Sequence, residues 1–187
     1  AAIKHWHWLA DRKAAGLRRH DRIAPHAAAA AAASLIDAAA EPVLSERESK
    51  PVLAAYGIAI VEEQLVQSAQ AAAEAAQAFG VPVALKVESP DIPHKTEAGV
   101  VGLHLESPAQ VRAGFEAVLA NAMKLEPRPR ITGVLVQPMV PAGIEIMVGG
   151  RIDAHFGPMI VVGLGGIFVE LMKDTVLSPA PVSTSEA

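Results

Sequence analysis

The apolar run Val83-Ala84-Leu85-Val87 is interrupted by one polar position, Lys86, the pattern of a short strand. A strand here buries Val83, Leu85 and Val87 on one side and turns Lys86 to the other, because side chains alternate along a strand. Upstream, Ser45 followed by Glu48 fits a capping box, in which hydroxyl and carboxylate satisfy the first orphan amides of a helix. That helix is expected to run to about Tyr56, with Gly57 ending it. Ile58 to Val61 reads as a short strand, and Ser68 to Phe79 as an alanine-rich helix closed by Gly80. Downstream, the apolar run from Val100 to Leu105 predicts a second strand. Ser107-Pro108 then opens a helix to about Leu125, with Val111, Phe115, Val118, Leu119 and Ala122 at helical spacing and Pro127 and Pro129 beyond it. Ile131 to Gln137 is a predicted strand, Pro141-Ala142-Gly143 a turn, Ile144 to Val148 its partner strand, and Met159 to Gly163 another strand. Helices and strands alternating in this way make an α/β or α+β fold.

Composition narrows the class. The 187 residues are enough for one domain or two small lobes, and 51% hydrophobic with 19% charged residues is a globular composition. Aromatic residues are 4%, so Val, Ile, Leu and Ala must fill the core. A net charge of -4 argues against nucleic acid as the main partner. The chain has no cysteine, which excludes disulfides and cysteine-based zinc sites and fits a cytoplasmic protein. No apolar run approaches the roughly 20 residues that span a bilayer, so no membrane is expected. Residues 1–40 differ from the rest: a basic start with Trp6 and Trp8 around His7 is followed by alanines from Ala27 to Ala33. Alanine favours a helix but offers little side chain to bury. The expected division is a linker, or the end of a preceding module, over 1–40, a first lobe over 41–130, and a hinge with part of a second lobe over 131–187.

The chemistry concentrates after the Lys86 strand. A loop punctuated by Pro90 and Pro93 carries Asp91, His94, Lys95 and Glu97 and ends at Gly99. A fixed cation beside backbone that can approach oxygen closely is what a phosphate site needs. A strand lysine can equally be the polar face of an edge strand, and a loop histidine is most often solvated. Gly163-Leu164-Gly165-Gly166 lacks the lysine-hydroxyl ending of a phosphate loop and the spacing of a dinucleotide fingerprint.

The stretch V-A-L-K-V-E-S-P-D-I-P-H-K-T-E-A-G-V-V resembles the nucleotide-binding segment of the ATP-grasp domain of NDP-forming (ADP-forming) acyl-CoA synthetases. The resemblance extends to L-S-E-R-E-S-K-P-V-L-A-A-Y-G-I from Leu44, G-V-L-V-Q-P-M-V from Gly133 and F-G-P-M-I-V-V-G-L-G-G-I-F-V-E-L-M-K-D from Phe156. It implies an ATP-grasp fold, with an N-terminal lobe and a truncated second lobe, that binds ATP or ADP with magnesium. It implies that Lys86 contacts the phosphates and that Lys95 and Glu97 tune the loop. His94 is implied as the catalytic residue, carrying phosphate as phosphohistidine between two active sites; neutral imidazole is nucleophilic near pH 7.

By the same resemblance Gly99 belongs to the glycine-rich cover over the phosphates, although Val100 stands where many members have a second glycine. Gln137, Met139 and Val140 form the hinge at the adenine edge, and Glu145 matches the acidic position that reaches the ribose. Bland readings stand beside these: a core methionine and a surface carboxylate. Glu170 and Asp174 read as facing the site or as solvated positions on a short helix, and Arg151, Asp153 and His155 as a strand-end loop. No metal ligands are expected among these residues, because the family's E-I-D-I-N-P-like segment is absent from the sequence. The expected partners are the nucleotide and the CoA-binding and CoA-ligase modules of a larger oligomeric enzyme, without which this chain is expected to be inactive. Two other readings are a regulatory synthetase-like region of a protein lysine acetyltransferase and a non-catalytic docking or oligomerisation scaffold.

Overall fold

Ser45 starts a helix as its capping box requires: the Glu48 amide donates to Ser45 Oγ at 3.3 Å and the Ser45 amide donates to Glu48 Oε2 at 2.8 Å. In the computed structural model, which describes residues 26–80, 82–92, 95–166 and 175–182, this helix is α2 (Glu46–Ala55), preceded by α1 (His26–Asp37). Then follow β1 (Gln64–Val66), α3 (Ala69–Phe79), β2 (Val83–Glu88), β3 (Val101–Leu105), α4 (Pro108–Ala122) and β4 (Gly133–Pro138). A second group comprises β5 (Ile146–Asp153), β6 (Gly157–Leu164) and β7 (Thr175–Pro179). The chain divides into two units, one spanning His26–Pro141 and the other containing the residues from Ala142 onward.

The first unit is built on a four-stranded sheet in the order β1-β4-β2-β3, with every ladder antiparallel. Register decides its two faces. Val66, Val83, Leu85, Val87, Val134 and Val136 share one face and are buried with Ala72 and Ala76 of α3 and Val111, Phe115 and Val118 of α4. Four alanines of α3 are buried, and their small side chains let that helix lie close to the sheet. Burying each larger aliphatic side chain of this face contributes roughly 1.5–3 kcal/mol. The opposite face carries Lys86, directly across from Leu135 and Val101, with Gln137 across from Ala84.

A bulge adjusts β3 to these faces. Val83 pairs with Leu105 but Leu85 pairs with Gly102, so one extra residue is accommodated between them. His104 takes φ 56°, a left-handed conformation that histidine adopts more readily than branched residues do. The bulge brings Leu105 onto the helix-covered face, where its methyls reach the space beside Gly102 and Gly114. Val101 and Leu103 stay on the Lys86 side.

The second unit's described residues form a three-stranded antiparallel sheet in the order β5-β6-β7. The turn between β5 and β6 is fastened by Asp153, whose Oδ1 accepts the amides of His155 at 2.9 Å and Phe156 at 3.1 Å. These two amides, with Arg151 adding to them, outweigh partial burial and hold the Asp153 carboxyl below the usual carboxylate range.

The mixed helix-and-sheet class expected from the sequence is what the chain adopts, with antiparallel ladders throughout the described strands. Three local expectations need correction. Ile58 to Val61 is not a strand; the edge strand lies at Gln64–Val66, where Val66 can enter the core while Ile58 and Ile60 stay exposed. The strand after Pro141 does not pair with β4, whose two sides are taken by β1 and β2; it pairs with β6. The strand Thr175–Pro179 was not expected at all. The seam between units falls after Pro141, since β4 is central in the first sheet, and α1 packs on α2 inside the first unit with Ala28 and Ala32 buried.

Candidate functional site

Lys86 leaves the face of β2 opposite α3 and α4, and its Nζ lies 2.8 Å from Glu46 Oε1, at the first position of α2. The same carboxylate oxygen is 3.1 Å from Lys50 Nζ, one helical turn on. Lys50 also pairs with Glu63 and donates to Gln137 Oε1 at 3.4 Å. Lys86, Glu46, Lys50, Glu63 and Gln137 therefore form one chain of alternating charge closed by an amide. Burial pushes the Glu46 carboxyl up, but the hydrogen bonds and charges of Lys86 and Lys50 outweigh it and hold it below the usual range. Burial likewise lowers Lys50, and its two carboxylate partners outweigh that and raise it.

A cavity of about 700 Å³ opens at Lys86. Val43, Leu44, Ser45 and Glu46 line it from the start of α2, Val101 and Leu103 from β3, and Ser89, Ile92, Lys95 and Thr96 from the loop after β2. Lys95 is held there by Glu88, with Nζ 2.9 Å from Oε2; the side chains are 14% and 7% exposed. A pair buried to that degree is costly to break, roughly 3–5 kcal/mol when one partner is removed. The loop has two further fastenings. Asp91 accepts the Arg130 amide at 2.7 Å and its guanidinium at 2.8 Å, and Gly99, at φ 66°, offers its carbonyl to Asn121 Nδ2 at 2.9 Å. The Arg130 side chain and amide hold the Asp91 carboxyl down to about 2.

The residues singled out from the sequence thus separate. Lys86 and Lys95 line one cavity, and Gln137 joins it through Lys50 and Glu46. Gly99 is fixed at the end of α4 instead. Met139 donates its amide to the Pro82 carbonyl at 3.0 Å, continuing the β2–β4 ladder, and Val140 is exposed. Glu145 lies in the second unit, where its carbonyl accepts the Gly165 amide at 2.7 Å. A Cβ on Gly166 would sit 2.5 Å from Glu145 Oε2, so the glycine pair leaves room for this side chain. His94 lies outside the described residues, as do Glu170 and Asp174. Sequence reasoning passed over Glu46, Lys50 and Glu88, the counter-ions of the cavity. Their only local signal was the acidic residue directly after the Ser45 cap, a position any capped helix favours.

Comparison with known proteins places the chain in a family. A family model described as an ATP-grasp domain matches residues 36–187. The beta subunit of acetate–CoA ligase [ADP-forming] II from Pyrococcus furiosus is 42% identical over 142 residues, covering 76% of this chain and 60% of that one. The 4-hydroxybutyrate–CoA ligase [ADP-forming] of Nitrosopumilus maritimus is 40% identical over 146 residues, 78% of this chain and 21% of that protein. Among solved structures, the dinucleotide-forming acetyl-coenzyme A synthetase 1 of Ca. Korarchaeum cryptofilum, in complex with coenzyme A and Ca-AMPCP, matches with a TM-score of 0.73 and 36% identity over 76% of this chain and 62% of that one. Another structure of that synthetase holds Mg-AMPPCP, with its phosphohistidine segment pointing towards the nucleotide binding site; it matches with a TM-score of 0.62 and 34% identity over 76% of this chain and 60% of that one. The chain belongs to the ATP-grasp family, in the branch that ADP-forming CoA ligases share. It spans between about a fifth and three fifths of the length of these curated relatives.

Proposed function

We propose that this chain is the nucleotide-binding part of an ADP-forming acyl-CoA synthetase. That enzyme converts a carboxylic acid, CoA and ATP into acyl-CoA, ADP and phosphate. The observation that carries the reading is the pair of ammonium groups, Lys86 and Lys95, lining one cavity beside the loop that bears His94. Both lysines have carboxylate partners, so the cavity presents cations at fixed positions rather than free ones. A cation already held at the cavity wall need not itself be brought there when a polyphosphate arrives.

The residues divide the work. Lys86 takes the phosphate charge from the strand; Lys95, locked to Glu88, sets the loop. His94 accepts the terminal phosphoryl group: an imidazole nitrogen forms the bond to phosphorus as the bridging oxygen leaves with ADP. Magnesium, bound with the nucleotide, supplies neutralisation of phosphate charge. Among the described residues no group of three or more His, Asp or Glu side chains is placed to hold a metal, so no protein ligand is assigned to it. Gln137 and Met139, at the end of β4, are the proposed neighbours of the base. CoA-binding and CoA-ligase modules, fused or separate, are the proposed partners. The named relatives are ligases, and nothing in them favours an acetyltransferase-linked or scaffold role. No helix among the described residues is long and apolar enough to cross a membrane.

Calorimetric titration with MgATP and MgADP tests the reading. Saturable binding is expected, weakened at least about tenfold in Lys86→Ala, the loss of one charge-assisted contact. Binding that is indifferent to Lys86 would remove the basis of the assignment.

A further inference from the structure

Lys86 is not waiting empty. Its Nζ is 2.8 Å from Glu46 Oε1, an anionic oxygen standing where the proposed function puts a phosphate oxygen. We propose that Glu46 is an internal surrogate anion, which holds Lys86 in place in the free protein and must yield it to the polyphosphate. The inference rests on the nucleotide reading above and adds the residue against which the nucleotide competes.

Three features support an exchange rather than a permanent pair. First, the same Glu46 oxygen that binds Lys86 is 3.1 Å from Lys50, so the carboxylate keeps a cation after releasing Lys86. Lys50 in turn is steadied by Glu63 and Gln137, which stay behind when Lys86 changes partner. Second, the Lys86 and Glu46 side chains are 22% and 34% exposed, open enough for a ligand to reach them from the cavity they both line. Third, Glu46 sits at the first position of a helix whose capping box fixes the backbone on its N-terminal side. The helix end favours a carboxylate there whichever lysine it faces. An anionic ligand arriving with Glu46 still on Lys86 would meet like charge at hydrogen-bond range, and this repulsion sets a penalty on binding.

The penalty gives the test its sign. Glu46→Gln keeps the size of the side chain and removes the competing charge. The full chain is titrated with MgATP and, separately, with inorganic tripolyphosphate, as wild type, Glu46→Gln, Lys86→Ala and the double variant, with thermal unfolding recorded for each. Glu46→Gln is expected to bind both ligands about 3- to 10-fold more tightly than wild type, the size of one screened charge-charge term at a partly exposed site. That gain is expected to vanish when Lys86 is alanine. A purely structural role would move the unfolding temperature and leave the affinity for both ligands unimproved. Wild-type binding that Lys86→Ala abolishes but Glu46→Gln leaves unchanged or weaker overturns the surrogate role alone. A gain that persists in the Lys86→Ala background overturns it as well. Absence of binding by all four proteins overturns both this inference and the nucleotide reading beneath it.

Discussion

Asp91 and Arg130 fasten the loop after β2 to the segment before β4, through the Arg130 amide, its guanidinium and a further contact from the guanidinium to Glu41 at 3.2 Å. Because Asp91 is held down to about 2 from 3.8, its pairing contributes stability that is complete above about pH 4 and is lost as pH falls through about 2. The difference in unfolding temperature between wild type and Arg130→Gln should therefore be constant near neutrality, shrink over that acid window and disappear below it. A difference independent of pH would show that Asp91 does not carry the effect. Lysines were the legible part of this scale, since Lys86 stands in an apolar strand and Lys95 in a distinctive loop. The partner of Lys86 was not legible: Glu46 lies forty positions away, a distance that only the folded chain closes.

Capped helices were readable at the scale of elements because their signals are local: Ser45, Ser68 and Ser107 each accept an amide three residues on. Strand partners were not, because pairing is decided by residues distant in sequence. Ile58 to Val61 has the apolar content of a strand, yet β4 takes Gln64–Val66 as its neighbour, the register that turns Val66 into the core. Close approach of β1 to β4 depends on Gly133, where a Cβ would lie 2.7 Å from the Val66 carbonyl oxygen. Gly133→Ala should cost about 1–3 kcal/mol in urea unfolding, since backbone must move. Gly114→Ala meets no backbone, only the side-chain methyls of Leu105 at 2.9 Å and Leu85 at 3.4 Å. It gains helix propensity as well, so its loss should be clearly smaller. Equal losses would contradict the close backbone approach of β1 to β4 at Gly133.

Two units, each with its own antiparallel sheet, make up the described chain, and the cavity with its lysines lies wholly within the first. The class of fold and the family were legible because the motifs keep their order, from the Ser45 helix through the Lys86 strand to the glycines before residue 167. The most direct test is a crystal structure of the full chain with magnesium and a non-hydrolysable ATP analogue. Phosphate oxygens are expected within hydrogen-bond distance of Lys86 Nζ, with Lys95 lining the same space and Glu46 withdrawn towards Lys50. Phosphates bound away from this cavity, with the Lys86–Glu46 pair intact at saturating ligand, would contradict this placement.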